Sequence, residues 1–276
     1  MDHYSYDLYD KINKEENMFR FNYHTHTYRC KHASGTDEEY VLAAIEAGYS
    51  ILGFSDHAPY RDFPSDRSHM DIEQLDEYIA SIDALKEKYK DQIEIHVDLE
   101  TEYFPWNHEE RVEIGKKVEY LLLGQHYSDP VGNEVNYFKI NTDEEMLQYG
   151  KSVCEALDTG MFRYLCHPDV VMNRQEAFTP ACGEVAHMIA KKASELDIPV
   201  EVNVRGVAKG RKPFGDKEYY FYPHRPFWEI MAQYPLRCIV GIDAHRPEDL
   251  LETELVDEAL NELSGLDLKF IDEPIM

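Results

Sequence analysis

Residues 237–245 read RCIVGIDAH, an apolar run of strand-forming residues that ends in Asp243 and His245, two positions apart. Residues 21–26 read FNYHTH and show the same arrangement, with His24 and His26 at the end of a short β-rich run. On an extended strand, positions i and i+2 share one face, so both side chains of a pair can reach one ion. The two segments therefore predict strands that deliver metal-type ligands at their carboxyl ends.

Between these segments, short β-rich runs alternate with longer helical patterns. The predicted strands are Phe21–Thr25, Ile51–Ser55, Glu94–Leu99, Tyr120–Gly124, Phe162–Cys166, Val200–Val204 and Arg237–Ile242. The predicted helices lie near Asp37–Ala47, Ile72–Lys90, His108–Lys117, Asp143–Leu157, Cys182–Leu196, Pro226–Gln233 and Pro247–Leu263. Thr36 and Thr142 each precede a glutamate by three positions, the spacing of a capping box at a helix start. The alternation predicts a parallel α/β sheet, either open and doubly wound or closed into a barrel.

Histidines and carboxylates cluster just beyond the predicted strands, and seven of the 13 histidines lie there. In chain order the groups are His24, His26 and His32, then Asp56 and His57, Glu100 and Glu102, His126, His167, Glu201 and Asn203, and finally Asp243 and His245. The carboxyl ends of barrel strands converge on one face, where active sites are found. This distribution favours the barrel and predicts a metal centre at that face.

The candidate metal ligands are His24, His26, His32, His57, Glu100, His126, His167, Asp243 and His245. One zinc ion usually takes about four ligands, so the set suits two or three divalent ions that share a bridging carboxylate. Imidazole and carboxylate without thiolate fit zinc, iron or manganese. By strand alternation Cys166 is expected to point away from the His167 face and to serve packing. Such a cluster lowers the pKa of bridging water and clamps the oxygens of a phosphate ester.

The net charge limits the kinds of partner that are expected, and the cysteine content indicates the cellular compartment. The 276 residues include 54 acidic and 28 basic side chains, for a formal net charge of −26. This charge disfavours nucleic acid and anionic membranes as partners. Five cysteines without a C-x-x-C pair, and a polar N-terminus without the features of a signal peptide, indicate a cytoplasmic protein.

The ligand motifs also have a characteristic order along the chain. They are His24-Thr25-His26, Asp56-His57, Leu99-Glu100-x-Glu102-Tyr103, Gly124-Gln125-His126, His167-Pro168-Asp169 and Asp243-Ala244-His245. In this order and spacing they resemble the PHP (polymerase and histidinol phosphatase) superfamily, from about Phe21 to Pro247. The resemblance implies a distorted (β/α)7 TIM-like barrel with the metal site at the carboxyl ends of the strands. It implies a single domain over residues 1–276, with residues 1–20 as an N-terminal extension.

The resemblance further implies how the ligands divide among three ions. The first ion would take His24, His26, Glu100 and Asp243; the second Glu100, His126 and His167; the third His32, His57 and His245. Glu100 would therefore bridge two ions, and Glu100, Asp243 and His245 are the implied catalytic residues. Two segments depart from the family pattern: Ile242 stands where serine is usual, and Asn203-Val204-Arg205-Gly206 replaces Asn-Thr-Ser-Gly.

Within the superfamily the chain is most similar to stand-alone histidinol-phosphate phosphatases. This implies a metal-dependent phosphomonoesterase that converts histidinol phosphate and water to histidinol and phosphate with a metal-activated hydroxide. A guanidinium can grip phosphate bidentately, and three arginines that follow site strands are the candidates for this role: Arg174, Arg205 and Arg211. Candidates to shape the pocket are Tyr103, Tyr127 and Tyr222, and candidates to pair with a substrate amine are Glu102, Asp129 and Glu201.

Three alternatives stay open at the level of the sequence. A PHP phosphoesterase could act on another phosphate ester or on a nucleotide, although a processive nuclease usually needs a basic track for the strand. A second alternative is a regulatory protein that binds metal without catalysis. The third is a metal-dependent amidohydrolase, which would use a carboxylated lysine at a strand end, where this chain has Glu100.

Overall fold

The computed structural model describes residues 20–61, 68–128, 135–272 and 274–275. The predicted N-terminal extension, apart from Arg20, and the candidate Asp129 lie outside these ranges. Eight parallel strands form one curled sheet in the order β1-β2-β3-β4-β5-β6-β9-β10. They are β1 (Phe21–Asn22), β2 (Ile51–His57), β3 (Glu94–Thr101), β4 (Leu121–Leu123), β5 (Phe162–Leu165), β6 (Val200–Asn203), β9 (Arg237–Gly241) and β10 (Lys269–Phe270). The strands β7 (Arg211–Phe214) and β8 (Lys217–Tyr220) form a separate antiparallel hairpin.

Helices follow the strands and pack against the outer face of the sheet. They are α1 (Asp37–Ala47), α2 (Leu75–Tyr89), α3 (His108–Gly115), α4 (Asp143–Asp158), α5 (Pro180–Glu195), α6 (Arg205–Ala208), α7 (Arg225–Met231) and α8 (Glu254–Glu262). Short 3-10 turns cover Tyr28–Cys30, Ile72–Gln74, Pro105–Asn107, Val170–Arg174 and Pro247–Leu251. Within the described ranges the helices are too short or too polar to cross a membrane.

The strands bury both of their faces, as expected of a parallel sheet covered by helices. In β3, Ile95, Val97 and Leu99 belong to the core shared with the helices. Asp98 and Glu100 alternate with them and are fully buried on the opposite face, inside the curled sheet. The barrel interior therefore carries ionisable groups, which is unusual for a core and points to a site.

The sheet closes at its carboxyl end through a parallel bridge between Thr25 and Ala244. The His26 amide donates to the Ala244 carbonyl at 2.8 Å, and the Ala244 amide donates to the His24 carbonyl at 3.2 Å. Beyond β9, the two-residue strand β10 adds a neighbour that the seven predicted strands lack. Such a short strand has no alternation to detect in the sequence. The predicted parallel α/β barrel is confirmed, with eight strands instead of seven in its sheet.

The β7–β8 hairpin and the short helix α6 lie between β6 and α7 and do not match the predicted pattern. Lys212 of the hairpin donates to the carbonyls of Met172, Asn173 and Gln175. The hairpin thus anchors the turn that follows His167. Asp169 accepts hydrogen bonds from the Trp228 indole at 2.9 Å and from the backbone amide of His224 at 2.6 Å.

Candidate metal centre

All nine predicted ligands meet at the carboxyl end of the barrel. Strand β2 continues through His57 and β3 through Thr101, so His57 and Glu100 are paired residues of neighbouring strands. The ligands lie on or follow six different strands, and their side chains are close to one another in space. The strand ends therefore bring together groups that are distant in sequence.

Three pairs of imidazoles turn their Nε2 atoms toward each other. The Nε2–Nε2 distances are 3.2 Å for His24 and His26, 3.3 Å for His126 and His167, and 3.0 Å for His32 and His245. Two nitrogen ligands of one tetrahedral zinc ion, each about 2.1 Å from it, lie roughly 3.4 Å apart. Each pair therefore has the spacing of two ligands that share one ion.

The two carboxylate oxygens of Glu100 face different pairs. Oε1 lies 3.2 Å from His126 Nε2 and 2.9 Å from His167 Nε2. Oε2 lies 3.4 Å from His24 Nε2 and 3.5 Å from His26 Nε2. This is the arrangement of a carboxylate that bridges two ions.

Asp243 completes the group around His24 and His26. Its Oδ1 lies 3.1 Å from His26 Nε2 and 3.7 Å from His24 Nε2. His57 approaches the same region, with Nδ1 at 3.2 Å from Glu100 Oε2. The cluster is therefore continuous, and each close imidazole pair has a carboxylate or a third imidazole nearby.

One ligand, His167, depends on a break in strand alternation. Tyr164 and Cys166 both face the barrel interior, so strict alternation would turn His167 outward. His167 has a positive φ of 26° and Asp243 one of 56°, and non-glycine residues rarely adopt this region. The turned backbone directs the His167 side chain into the site, whereas Asp243 faces inward by alternation with Ile242, which packs in the outer core. Cys166 also points inward, within 4.8 Å of ligand atoms of His24 and Glu100, which corrects the expectation that it faces away.

Two glycines leave room for buried carboxylates. A β-carbon at Gly124 would lie 1.9 Å from Glu100 Oε1, and one at Gly241 would lie 1.8 Å from Glu201 Oε1. Any side chain at these positions would displace the carboxylate. The absence of a side chain at both glycines is therefore needed for the buried carboxylates to take their places in the site.

Hydrogen bonds behind the imidazoles fix their orientation. His24 Nδ1 lies 2.8 Å from Glu201 Oε1, and His126 Nδ1 lies 2.8 Å from Glu102 Oε1. A carboxylate on Nδ1 keeps the proton there and leaves Nε2 free to bind a metal. Glu102 and Glu201, two candidates to pair with a substrate amine, are therefore fully buried partners of ligand histidines.

The electrostatic environment keeps the carboxylates ionised. Burial favours the neutral acid, but the neighbouring imidazoles, His126 foremost, hold the pKa of Glu100 well below its usual range. Burial, reinforced by the charge of His26, lowers the pKa of His245 to about 4. At His126 burial acts in the same direction, yet Glu100 and Glu102 outweigh it and raise the pKa to about 10. A metal ion that binds His126 must therefore displace a proton.

The residues present fit divalent metal ions. Glu100 Oε2 and Asp243 Oδ1 are buried and have no hydrogen-bond donor among the described residues. Buried polar atoms without partners are costly unless something else satisfies them. Their neighbours are imidazole nitrogens at ligand spacing, a donor set that suits zinc, iron or manganese.

A pocket of about 300 Å³ opens over the cluster. Its wall includes Arg205, Lys209, Tyr127, Tyr222 and Phe138 together with the metal ligands other than His24. Phe138 stacks on His126 at 5.3 Å between ring centroids. Lys209 and Phe138 were not among the predicted site residues, because the sequence does not show that they reach the pocket.

Of the three predicted phosphate-binding arginines, the structure brings Arg205 to the pocket. Its Nη1 donates to the Asp243 carbonyl at 3.3 Å. Arg174 is exposed at the end of the 3-10 turn after β5. Arg211 lies on β7, where it contacts Glu262 at 2.5 Å and the ring of Tyr220 at 4.0 Å. Arg174 and Arg211 are outside the set of described residues that line the pocket.

Several known proteins are similar to this chain. A protein of Deinococcus radiodurans named "Probable histidinol-phosphatase" is 28% identical over 234 residues, covering 82% of this chain and 86% of its own. The "Histidinol-phosphatase" of Bacillus subtilis is 26% identical over 152 residues, covering 51% and 55% of the two chains. A histidinol phosphate phosphatase structure from Lactococcus lactis, complexed with zinc, L-histidinol and phosphate, has a TM-score of 0.67 at 18% identity. It covers 90% of this chain and 95% of that chain.

The family model described as "PHP domain" matches residues 22–204. This range holds β1 to β6 and seven of the nine ligands, and the remaining two, Asp243 and His245, follow β9. The match covers more than half of the chain. The chain therefore belongs to the PHP domain family.

Proposed function

We propose that the protein is a metal-dependent phosphomonoesterase that hydrolyses histidinol phosphate to histidinol and phosphate. The observation that carries the proposal is Glu100, whose two oxygens face two separate pairs of histidines. A carboxylate between two ion positions is the arrangement of multinuclear phosphoesterases. The substrate is proposed from the relatives, whose names specify histidinol-phosphatase.

We further propose two or three divalent ions, drawn from zinc, iron and manganese. The three close imidazole pairs support three positions, one held by His24 and His26 with Asp243, one by His126 and His167, and one by His32 and His245 with His57. When bound, such ions lower the pKa of coordinated water and neutralise phosphoryl oxygens. Glu100 would join the first two positions, and the buried Glu102 and Glu201 would hold the imidazoles in the ligating tautomer.

Arg205 is proposed to bind the phosphoryl group of the substrate. Its hydrogen bond to the Asp243 carbonyl holds the guanidinium at the edge of the ligand cluster. A planar guanidinium can contact two phosphoryl oxygens at once. In a chain with a net charge of −26, a cation at this place offsets the surrounding field and favours a phosphate dianion.

The test measures phosphate release from histidinol phosphate by purified protein that has been chelated and then refilled with zinc, iron or manganese. Other phosphomonoesters and a nucleotide serve as comparators, and Glu100→Gln serves as the variant that lacks the bridge. We expect metal-dependent turnover with histidinol phosphate preferred, and at least about 100-fold slower turnover in the variant. Better turnover of another ester would overturn the assignment of histidinol phosphate as the substrate. Metal uptake without hydrolysis would favour a non-catalytic role.

A further inference from the structure

Lys209 lies four positions after Arg205 and directly follows helix α6. Residues four apart share one side of a helical turn, so the two cations reach the same region. Both line the pocket over the metal ligands. Both also line a second cavity of about 210 Å³, whose lining includes Asp249. The α6 segment thus places two cations where the two cavities meet.

Tyr222 holds the Lys209 ammonium in place. Lys209 is exposed as a whole residue, but its Nζ donates to the hydroxyl of the buried Tyr222 at 2.7 Å. The ammonium also lies 4.7 Å from the centre of the Tyr222 ring and 5.9 Å from that of Phe138. Two aromatic faces and one hydroxyl therefore define its position on the His126 side of the pocket.

Gly206 makes this arrangement possible. A β-carbon at Gly206 would lie 2.0 Å from the Tyr222 carbonyl oxygen and 2.5 Å from its ring. The close approach lets Tyr222 pack against α6 between the two cations. Gly206 thus lets Tyr222 form this wall of the pocket beside Arg205.

Lys209 also differs from its neighbours in its charge partners. Arg211 pairs with Glu262, Arg246 with Asp249, and Arg205 lies 3.7 Å from Asp249. Within the described ranges, Lys209 forms no ion pair with a carboxylate, although acidic residues outnumber basic ones 54 to 28. A positioned ammonium with no carboxylate at ion-pair distance, facing the pocket over the metal ligands, is suited to contact an anionic group.

We propose that Lys209 is a second phosphate-binding residue, which contacts a phosphoryl oxygen of a phosphate monoester from the His126 side while Arg205 contacts the group from the Asp243 side. Tyr222 acts as a positioning residue that directs the ammonium into the pocket. This assignment deepens the proposed function and rests on it for the nature of the substrate. It adds a binding contact and leaves the ion positions unchanged.

The first test measures binding of inorganic phosphate to zinc-loaded protein by titration calorimetry, without turnover. We expect Lys209→Met to weaken phosphate binding about tenfold, as for the loss of one charge-assisted hydrogen bond, and Lys209→Arg to keep most of the affinity. Tyr222→Phe should weaken binding less than Lys209→Met. Lys191→Met, an exposed lysine on α5, is the matched control and should bind as the wild type does. Unchanged phosphate affinity in Lys209→Met would overturn the proposal.

The second test compares an alkyl phosphate with an aryl phosphate, whose leaving group needs little assistance. A phosphate-binding role predicts that Lys209→Met raises KM by a similar factor for both esters, with unchanged metal content. A loss of kcat confined to the alkyl ester would assign Lys209 to the leaving oxygen and contradict the proposal. Absence of hydrolysis in the wild type would reject the proposed function alone, because the calorimetric test reads phosphate binding directly.

Discussion

Gly124 leaves the space that the carboxylate of Glu100 occupies. A β-carbon at position 124 would stand 1.9 Å from Glu100 Oε1, far inside van der Waals contact. Glu100 lies in β3, and Gly124 directly follows the neighbouring strand β4. The position between the two histidine pairs is therefore available to Glu100 because the next strand lacks a side chain there.

Replacement of Gly124 by alanine should disrupt the metal centre more than the fold. We expect Gly124→Ala to lose at least one bound ion per chain and most metal-dependent activity, because Glu100 must leave its place between the pairs. Metal content by mass spectrometry and helical content by circular dichroism separate the two effects. The control is Gly183→Ala on α5, where the nearest atom would lie 3.5 Å away. Wild-type metal content in Gly124→Ala would contradict this account.

Glu102 should tune metal affinity without touching the metal. It accepts from Tyr60 at 2.6 Å as well as facing His126 Nδ1, so glutamine fits the space but cannot satisfy every donor. We expect Glu102→Gln to weaken binding at the His126 position about 10- to 100-fold, as for other carboxylates behind ligand histidines. Competition with a chromogenic chelator measures the change. Glu113→Gln, on the exposed face of α3, is the control. Equal affinities in the two variants would refute the role.

Substitutions of the three predicted arginines should affect KM differently, according to the position of each side chain. Arg205→Gln removes a guanidinium from the pocket wall, and we expect KM to rise about tenfold or more. Arg211→Gln removes a contact from the hairpin to Glu262 of α8, and Arg174→Gln alters an exposed side chain. Both should keep the wild-type KM. Steady-state kinetics on the three variants give the comparison, and a large effect of Arg211→Gln alone would reverse the assignment.

His224 should lower the stability of the protein in acid. Its ring is fully buried near Phe214, at 4.5 Å between centroids, and neither ring nitrogen has a hydrogen-bond partner among the described residues. Burial, with a contribution from Lys212, lowers the pKa of His224 to about 3. Between that value and about 6.5 the unfolded chain binds a proton that the folded protein does not, so stability falls as the pH falls.

Replacement of His224 by phenylalanine should remove this dependence. Relative to the wild type, His224→Phe should gain about 1.4 kcal/mol of unfolding free energy for each pH unit below about 6.5. Urea unfolding of chelated protein at several pH values gives the difference, and other groups, including Asp169, cancel in the comparison. A difference that does not change with pH would show that His224 titrates normally.

The fold and the ligand set could be predicted because both leave local marks in the sequence. The i, i+2 pairs at His24 and Asp243 follow apolar strands, and the barrel closes where those two segments meet. The positive φ of His167 could not be predicted, because strand alternation places that residue on the outer face. The position of His167 after a predicted strand identifies it as a candidate ligand. The backbone turn that directs its side chain into the site is seen only in the structure.

The distance of each side chain from the barrel axis could not be predicted either. Glu102 and Glu201 follow or lie within strands just as the ligands do, and only the curvature of the sheet puts them behind His126 and His24. The same applies to the arginines, since three of them follow site strands and one reaches the pocket. Sequence spacing identifies which strand end a residue follows, whereas its distance from the barrel axis is a property of packing.

The bridge between Thr25 and Ala244 also bears on the order in which the protein is made. His32 and His245, whose Nε2 atoms lie 3.0 Å apart, are separated by 213 positions in the chain. During synthesis on a ribosome, the His24-Thr25-His26 segment emerges early and can pair with β2, but its partner on the other side, Ala244, emerges only after nearly all of the barrel. We therefore expect complete metal loading only after translation of β9. A nascent chain that stops short of His245 would be left with an open barrel and an incomplete set of ligands.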